Sequence, residues 1–364
     1  METNFDAATL TVRLGAIAGN YRTLKNLASG AALAGVVKAD GYGLGAAQVA
    51  PALAGVGCDT FFVARLAEGV ALRPLVPKAR IFVLDGASQD AAAALIAHNL
   101  TPVLNDLSQI AAWSAAAKSA RLDCAIHVDT GMNRLGLPQP ELAMLAAEWK
   151  SRLAGLNLVL LMSHLACSDE PGNAMNGEQL SRFRAALAML PPTPASLAAS
   201  GGILLGKEYL FDLARPGVSL YGANPQPGGK NPVSPVAVLK ARVLQTRRID
   251  KGESVGYGAT FRAKRPSLIA TLALGYADGI LRALSGKGLA FAAGKSVPMV
   301  GRVSMDLIGL DVTDAGPVKA GDEVELLGDH ILLDDVALAA GTNAYEILTS
   351  LGRRITRHYT DHAA

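Results

Sequence analysis

The sequence predicts an α/β protein in two parts: an N-terminal (β/α)8 TIM barrel over residues 10–227 and a mainly β domain over residues 228–364. Two observations predict the barrel. Short apolar runs alternate with longer amphipathic segments through the first 225 residues, a pattern typical of parallel strands with helical cover. These units number close to eight if weak strands are counted, which favours a closed barrel over an open sheet.

The elements of the barrel are predicted from apolar runs and from the amphipathic segments between them. The predicted strands include residues 33–37, 60–63, 80–84, 125–128 and 158–162. The predicted helices include residues 89–98, 106–118 and 177–190.

The second domain is predicted from a change of texture near residue 225. Proline and glycine concentrate between Pro225 and Pro232, which indicates a turn-rich linker. Glycine-containing turns then separate β-type runs, which predicts a mainly β domain ending in a helix. The β-type runs are residues 236–243, 267–274, 297–303 and 323–327, and the helix is residues 345–351.

The composition argues against several classes of function. A formal net charge of +3 over 364 residues, with scattered basic residues, argues against a nucleic-acid partner. Cys58, Cys124 and Cys167 are far apart and form no paired motif, which argues against a disulfide framework or a zinc ribbon and favours a reducing compartment. The N-terminus lacks a signal-peptide pattern and no apolar run has the length of a membrane span, so we expect a cytoplasmic protein.

Lys38 is the first candidate for chemistry. It follows an apolar run and precedes a glycine-rich loop. At the end of a barrel strand, a partly desolvated lysine would have a lowered pKa and act as a nucleophile; a solvated loop lysine is the ordinary alternative. Residues 41–46 also fit a dinucleotide-binding loop, but that site needs an acidic residue at the end of the next strand, where Ala64 and Arg65 stand instead.

Other polar residues follow later apolar runs. Arg134 has the planar guanidinium that binds carboxylates, whereas an aspartic-protease interpretation of Asp129-Thr-Gly would need a second copy or a small symmetric dimer. His164 by itself fits a core histidine, and its motif is too sparse for a metal site. The loops at Ser200 and at Arg215 offer backbone N–H groups that could cradle a phosphate, although a structural arginine is the ordinary explanation.

Two tyrosines in the second domain lie between glycines. Tyr257 and Tyr276 each occur in a short Gly-Tyr motif, where glycine fits close approach of a ligand or of another backbone. A tyrosine that only packs on a β surface is the alternative.

Taken together and in order, these motifs resemble the alanine racemase family across essentially the whole chain. The resemblance rests on VKADGYG around Lys38, DTGMNRLG from Asp129, MSHLAC from Met162, RPG from Arg215, VGYGATF around Tyr257, LGYADG around Tyr276, GRVSMD from Gly301 and YEIL from Tyr345. It implies an enzyme that interconverts L- and D-alanine with pyridoxal 5'-phosphate (PLP), either for peptidoglycan synthesis or in alanine catabolism. It also implies a homodimer with shared active sites, and an N-terminal strand, residues 1–9, that joins the β domain.

The resemblance also implies residue roles. Lys38 would hold PLP and serve as one acid/base, and Tyr257, reaching in from the partner subunit, would be the other. Arg215 would face the pyridine nitrogen, with His164 in the supporting network. Arg134 and the backbone of Met305 would hold the substrate carboxylate. Tyr42, Ser200, Gly217, Val218 and Tyr345 would contact the phosphate, and Tyr276, Arg282, Asp169 and Arg302 would line the channel to the site.

Three positions depart from the family pattern. His127 stands where a carbamylated lysine often orients the arginine, so Arg134 needs another means of positioning. Ala199 and Ser304 stand where asparagine and cysteine are common. The alternative functions are a broader-specificity PLP amino-acid racemase, a related decarboxylase and a barrel-only PLP-binding protein; the last lacks a second domain.

Overall fold

The first part of the chain forms a ring of short parallel strands, as predicted. The computed structural model describes residues 7–117 and 121–361. The strands are β2 (Ala32–Leu33), β3 (Gly35–Val36), β4 (Thr60–Val63), β5 (Arg80–Val83), β6 (Thr101–Leu104), β7 (Leu122–His127), β8 (Leu156–Met162), β9 (Ala195–Ser196) and β10 (Leu213–Ala214). Strands β3 to β9 pair in chain order, each parallel to the next.

Backbone hydrogen bonds close the ring between its last and first strands. β10 pairs in parallel with β2, and the N–H of Ala34 donates to the carbonyl of Ala214 at 2.9 Å. On the other side, the N–H of Arg215 donates to the carbonyl of Ala198 at 2.9 Å. Because β2 and β3 are consecutive pieces of one strand, the ring has eight positions, and the (β/α)8 prediction is confirmed.

Helices cover this barrel, and several begin at a capping residue. Asp106 accepts a hydrogen bond from the N–H of Gln109 at 2.8 Å at the start of one of them. The helices are α1 (Leu14–Leu27), a helical turn α2 (Lys38–Tyr42), α3 (Ala46–Gly55), α4 (Leu66–Leu72), α5 (Ala92–Ala97), α6 (Leu107–Ala116), α7 (Gln139–Arg152), α8 (Ala174–Met189) and α9 (Ser200–Leu205). The predicted end of α6 at Lys118 lies outside the described residues.

The second part is an antiparallel β domain, as predicted. Its long strand β11 (Ala237–Ile249) pairs with strands on both sides, which curls the sheet on itself. The other strands are β12 (Ser254–Val255), β13 (Phe261–Arg262), β14 (Ser267–Leu272), β15 (Leu289–Ala292), β16 (Lys295–Val300), β17 (Ile308–Asp311), β18 (Glu323–Leu327) and β19 (Thr356–Thr360). Two helices, α10 (Leu333–Ala340) and α11 (Ala344–Ser350), precede the last strand.

A strand from the N-terminus joins the second domain. β1 (Ala8–Arg13) pairs antiparallel with β11 and parallel with β19. The first part of the expected strand 1–9, residues 1–6, lies outside the described residues, as do residues 362–364 of the second domain. β1 leads directly into α1, so the chain enters the barrel from the β domain.

The two domains meet beside Lys38. The guanidinium of Arg357, in β19, donates to the carbonyl of Gly43 at 3.1 Å, and a Cβ added to Gly43 would lie 2.6 Å from the carbonyl oxygen of Leu348 in α11. This close approach places the C-terminal elements against the loop that follows Lys38. Within the described ranges, no helix is long and apolar enough to cross a membrane.

Candidate active site

The candidate residues of the barrel gather at the carboxyl ends of its strands. Lys38 lies two residues after β3, His164 two residues after β8, and Arg215 directly after β10. Ser200 begins α9, four residues after β9, and Arg134 lies in the loop after β7. Since the carboxyl ends of parallel strands meet at one rim, this arrangement assembles a site from segments far apart in sequence.

Lys38 lies in an environment that disfavours its charged form. Burial and then the nearby guanidinium of Arg134 lower the pKa of Lys38, while the carboxylates of Glu68 and Asp85 act in the opposite direction. A neutral amine is the nucleophilic and proton-accepting form of lysine, so the site favours the reactive state.

Arg215 is a buried guanidinium that is held by neutral groups. It is 4% exposed, and its Nη2 donates to the carbonyl of Ser163 at 2.6 Å while Nη1 donates to the hydroxyl of Ser196. Among the described residues it forms no ion pair, and burial lowers its pKa to about 9. A fixed cation in this position would donate to an electron-rich ligand atom and would disfavour its protonation.

The two histidines of the site are held neutral. Burial and then the charge of Arg215 lower the pKa of His127 to about 4 and lower that of His164 well below its ordinary value. His127 Nδ1 lies 3.0 Å from Asn105 Oδ1, and the Asn105 amide nitrogen donates to the carbonyls of Leu84 and Val103 at 3.0 and 2.8 Å. Because the amide orientation is fixed by those carbonyls, Nδ1 carries the ring proton.

Arg134 is exposed, and within the described ranges it forms no hydrogen bond. Its position is indicated by electrostatics, because its charge lowers the pKa of Lys38, His127 and His164. It is therefore close to the barrel rim and open to a carboxylate ligand.

A group of buried residues that could hold a phosphate, which we call the cradle, lies where α9 and the loop after β10 meet. Ser200 Oγ accepts hydrogen bonds from the N–H groups of Gly217 and Ser219 at 3.0 and 3.3 Å. The Ser219 hydroxyl is buried and, among the described residues, has no hydrogen-bond partner. A Cβ added to Gly217 would lie 2.1 Å from the Tyr42 hydroxyl, so only glycine leaves room there. Val218 starts the 3-10 turn that follows.

Two tyrosines from different domains border this cradle. The rings of Tyr42 and Tyr345 have centroids 5.9 Å apart, and Tyr42 also stacks on Tyr221 at 4.6 Å. Asn343 caps α11 by accepting from the N–H of Glu346 at 3.1 Å, which fixes the turn that carries Tyr345. Asp169 is close enough to raise the pKa of Tyr345, after the larger effect of burial.

The donors present fit PLP. An unpartnered buried hydroxyl, a glycine gap beside a tyrosine hydroxyl and a helix N-terminus suit its phosphate. Lys38 would supply an amine for its aldehyde, and Arg215 would supply a donor for its ring nitrogen. Among the described residues, no group of three or more His, Cys, Asp or Glu side chains is arranged to hold a metal ion.

The remaining candidates lie on an exposed surface of the second domain, which we call the tyrosine face: Tyr257, Tyr276, Arg302 and Met305. Tyr257 is 73% exposed and Met305 is 54% exposed. The carbonyl of Met305 accepts from the N–H of Ala277, and the Arg302 guanidinium lies beside Gly258. The fold gathers these residues and leaves the side chain of Tyr257 exposed. Arg282 lies in a separate 3-10 turn, Arg282–Leu284.

Three residues of the site were not predicted from the sequence. Glu68 accepts a hydrogen bond from the residue after Lys38, Asn105 fixes the ring proton of His127, and Ser219 supplies the unpartnered hydroxyl. Asn105 could have been predicted as a site residue, because it directly follows strand β6 of the barrel. Glu68 and Ser219 had no distinctive motif, and only the fold reveals what they contact.

Two family models match consecutive parts of the chain. The alanine racemase N-terminal domain matches residues 12–225, and the alanine racemase C-terminal domain matches residues 236–359. Together they cover nearly all of the described residues.

Two relatives that bear the name alanine racemase agree with these matches. A catabolic alanine racemase of Mesorhizobium japonicum is 51% identical over 357 residues, covering 97% of this chain and 93% of the relative. An alanine racemase of Methylobacterium nodulans is 48% identical over 363 residues, covering 99% and 98%.

The fold is similar to those of crystal structures of alanine racemases. Alanine racemase from Bartonella henselae, solved with covalently bound pyridoxal phosphate, superposes with a TM-score of 0.93 at 41% identity, covering 97% of this chain and 99% of that one. The biosynthetic enzyme of Pseudomonas aeruginosa has a TM-score of 0.93 at 35% identity, covering 98% and 100%. The chain described here belongs to the alanine racemase family.

Proposed function

We propose that this chain interconverts L- and D-alanine with PLP, using Lys38 and Tyr257 as the two acid/base groups. The observation that carries the proposal is the placement of Lys38, with its lowered pKa, at the same barrel rim as the phosphate cradle and the buried Arg215. When bound, PLP supplies an electron sink that makes the α-proton of an amino acid acidic.

The residues of this chain divide the remaining work. Tyr42, Ser200, Gly217, Val218 and Tyr345 would hold the phosphate. Arg215 would donate to the pyridine nitrogen and would keep it unprotonated, with His164 neutral beside it, because two cations so close would repel. A ring nitrogen without a proton limits delocalisation into the ring, which disfavours side reactions.

Inversion at the α-carbon needs one proton acceptor on each face. Lys38 Nζ takes or returns the proton on one face, and the Tyr257 hydroxyl does so on the other. The guanidinium of Arg134 and the backbone of Met305 hold the substrate carboxylate, which fixes the α-carbon between the two bases. Tyr276, Arg282, Asp169 and Arg302 line the approach to the site and limit the size of the side chain admitted.

The exposure of Tyr257 supports a homodimer with shared active sites. Tyr257 is 73% exposed on the tyrosine face, and a second copy related by twofold symmetry could present it at the rim of this chain's barrel. We also propose a cytoplasmic location, supported by three free cysteines, of which Cys58 and Cys124 are buried. Neither nucleic acid nor a membrane is proposed as a partner.

The metabolic role is proposed as alanine catabolism or supply of D-alanine for peptidoglycan. The 51% identical relative that is named catabolic supports the first. Disruption of the gene would separate the two, since a D-alanine requirement supports the second and loss of growth on alanine supports the first.

The function is tested by assaying L-alanine with added PLP. We expect conversion by the wild type, none by Lys38→Ala, and a loss in Tyr257→Phe. Because the two enantiomers have equal free energies, kcat/KM must fall equally in both directions, and a difference between the directions can lie only in kcat and KM taken separately. If a folded, PLP-loaded wild type leaves alanine unchanged but converts other amino acids, the alternative of a broader-specificity PLP amino-acid racemase replaces this proposal.

A further inference from the structure

The backbone directly after Lys38 adopts an unfavourable conformation. Ala39, Asp40, Gly41 and Tyr42 have φ values of 52°, 53°, 61° and 57°, so four successive residues are left-handed and three of them have a Cβ. The conformation is sterically unfavourable for the three residues with a Cβ, whereas glycine adopts it readily. Conformations of this kind persist only where surrounding contacts impose them, and they concentrate at functional sites.

Glu68 imposes a contact at the start of this left-handed turn. Its Oε1 accepts a hydrogen bond from the N–H of Ala39 at 2.7 Å. Its Oε2 accepts from the N–H groups of Ala64 and Arg65 at 2.8 and 3.1 Å. One oxygen therefore binds the residue after Lys38, and the other binds the end of the neighbouring barrel segment.

A helix cap alone does not account for this arrangement. Glu68 lies in the first turn of α4, and its bond to the N–H of Arg65 satisfies that helix terminus. The bond to Ala39 crosses 29 residues to a different element and contributes nothing to α4. The carboxylate of Glu68 also raises the pKa of Lys38, against the effects of burial and of Arg134, so it is close to the amine as well as to the backbone.

We propose that Glu68 is a positioning residue for Lys38, whose carboxylate fixes the left-handed turn at Ala39 and so sets where the lysine amine enters the barrel rim. The proposal rests on the role of Lys38 proposed above. Glu68 touches neither reacting atoms nor cofactor in this scheme; it acts through the backbone of the residue next to Lys38.

Two variants separate position from charge. Glu68→Gln keeps the shape but removes the charge. Its amide nitrogen cannot accept from a backbone N–H, so either the bond to Ala39 or both bonds to Ala64 and Arg65 are lost. Glu68→Asp keeps the charge but is one methylene shorter and cannot span both segments. Glu141→Gln is the matched control, because Glu141 Oε2 accepts from the N–H of Leu107 at 3.0 Å at another barrel loop.

The variants are compared as holoenzymes and after removal of PLP. We expect roughly a 10- to 100-fold lower kcat in both Glu68 variants with KM for alanine unchanged, because the amine is misplaced while substrate binding is intact. We expect slower covalent loading of Lys38 when PLP is added back, and absorbance measures this loading. The pH midpoint of loading should fall in Glu68→Gln, since losing a negative charge stabilises the neutral amine, and stay near wild type in Glu68→Asp.

The opposite results would overturn the proposal. Wild-type kcat and loading rate in both Glu68 variants, or losses no larger than those of Glu141→Gln, would reduce Glu68 to a helix cap. A lower melting temperature with unchanged kinetics would do the same. The loading measurement needs no alanine, so it reports on Glu68 even if the wild type proves to act on another amino acid.

Discussion

The barrel rim and the tyrosine face both contribute to the proposed reaction, but the rim is buried whereas the tyrosine face is exposed. At the rim, Arg215 is 4% exposed and hydrogen-bonded, and burial changes the pKa of Lys38 and His127. On the tyrosine face, Tyr257 is 73% exposed. We infer that one chain organises most of its proposed cofactor site, whereas Tyr257, the proposed second base, would gain the low-dielectric surroundings that catalysis needs only when another surface covers it.

The largest expected effect comes from mixing two inactive variants. Lys38→Ala and Tyr257→Ala should each lack activity, because each removes one of the two bases. If the site is shared in a dimer, unfolding and refolding an equal mixture should restore about a quarter of wild-type activity, since half the dimers are mixed and each has one intact site. Racemisation of L-alanine measures it. Mixtures that stay inactive although dimers form would place both bases within one chain. The tyrosine face would then not act on the barrel rim of a second copy.

The buried rim should also make stability depend on pH through His127. Its folded pKa of about 4 lies below the unfolded 6.5, so the unfolded chain binds the proton first as the pH falls. This contribution is present above pH 6.5 and is lost toward pH 4, reaching about 3 kcal/mol. Urea unfolding at pH 7 and pH 5 should show a steeper loss in wild type than in His127→Gln. Equal slopes would mean that His127 is solvated.

The two serines of the cradle should differ in what they contribute before PLP binds, because Ser200 already accepts two hydrogen bonds whereas the Ser219 hydroxyl has no partner among the described residues. Ser200→Ala leaves the buried N–H groups of Gly217 and Ser219 without their acceptor, so we expect a free energy of unfolding lower by about 2 kcal/mol. Ser219→Ala removes a hydroxyl that has no partner among the described residues, so PLP-free stability should be unchanged while PLP dissociates faster. Equal destabilisation by both would argue against an anion site here.

The smallest effect is expected from filling the glycine gap at the rim. Gly217→Ala places a Cβ 2.1 Å from the Tyr42 hydroxyl and should lower the free energy of unfolding by about 1 kcal/mol and weaken PLP binding. Gly177→Ala, in α8 with nothing within 4 Å, is the control and should raise stability by about 0.5–1 kcal/mol. Thermal unfolding compares them, and a harmless Gly217→Ala would show that the rim is loosely packed.

Predictions from the sequence succeeded where a local pattern is repeated. The strand at residues 60–63 was placed without error, and the helix predicted at 345–351 is observed as Ala344–Ser350. The ends of strands were predicted less accurately. The strand predicted at residues 236–243 extends to Ile249, because pairing with β14 continues it through polar residues. The site residues after strand ends could be named from motifs, since each follows an apolar run.

Long-range contacts were beyond those patterns. The contact of Glu68 with Ala39, the placing of the His127 ring proton by Asn105, and the lack of a partner for Ser219 among the described residues all depend on elements distant in sequence. The order of strands and helices and the residue types at the rim follow from the sequence, because apolar periodicity and strand-end positions are local properties. The burial, charge state and hydrogen bonding of each group follow from the tertiary structure, since they depend on neighbours that folding brings together.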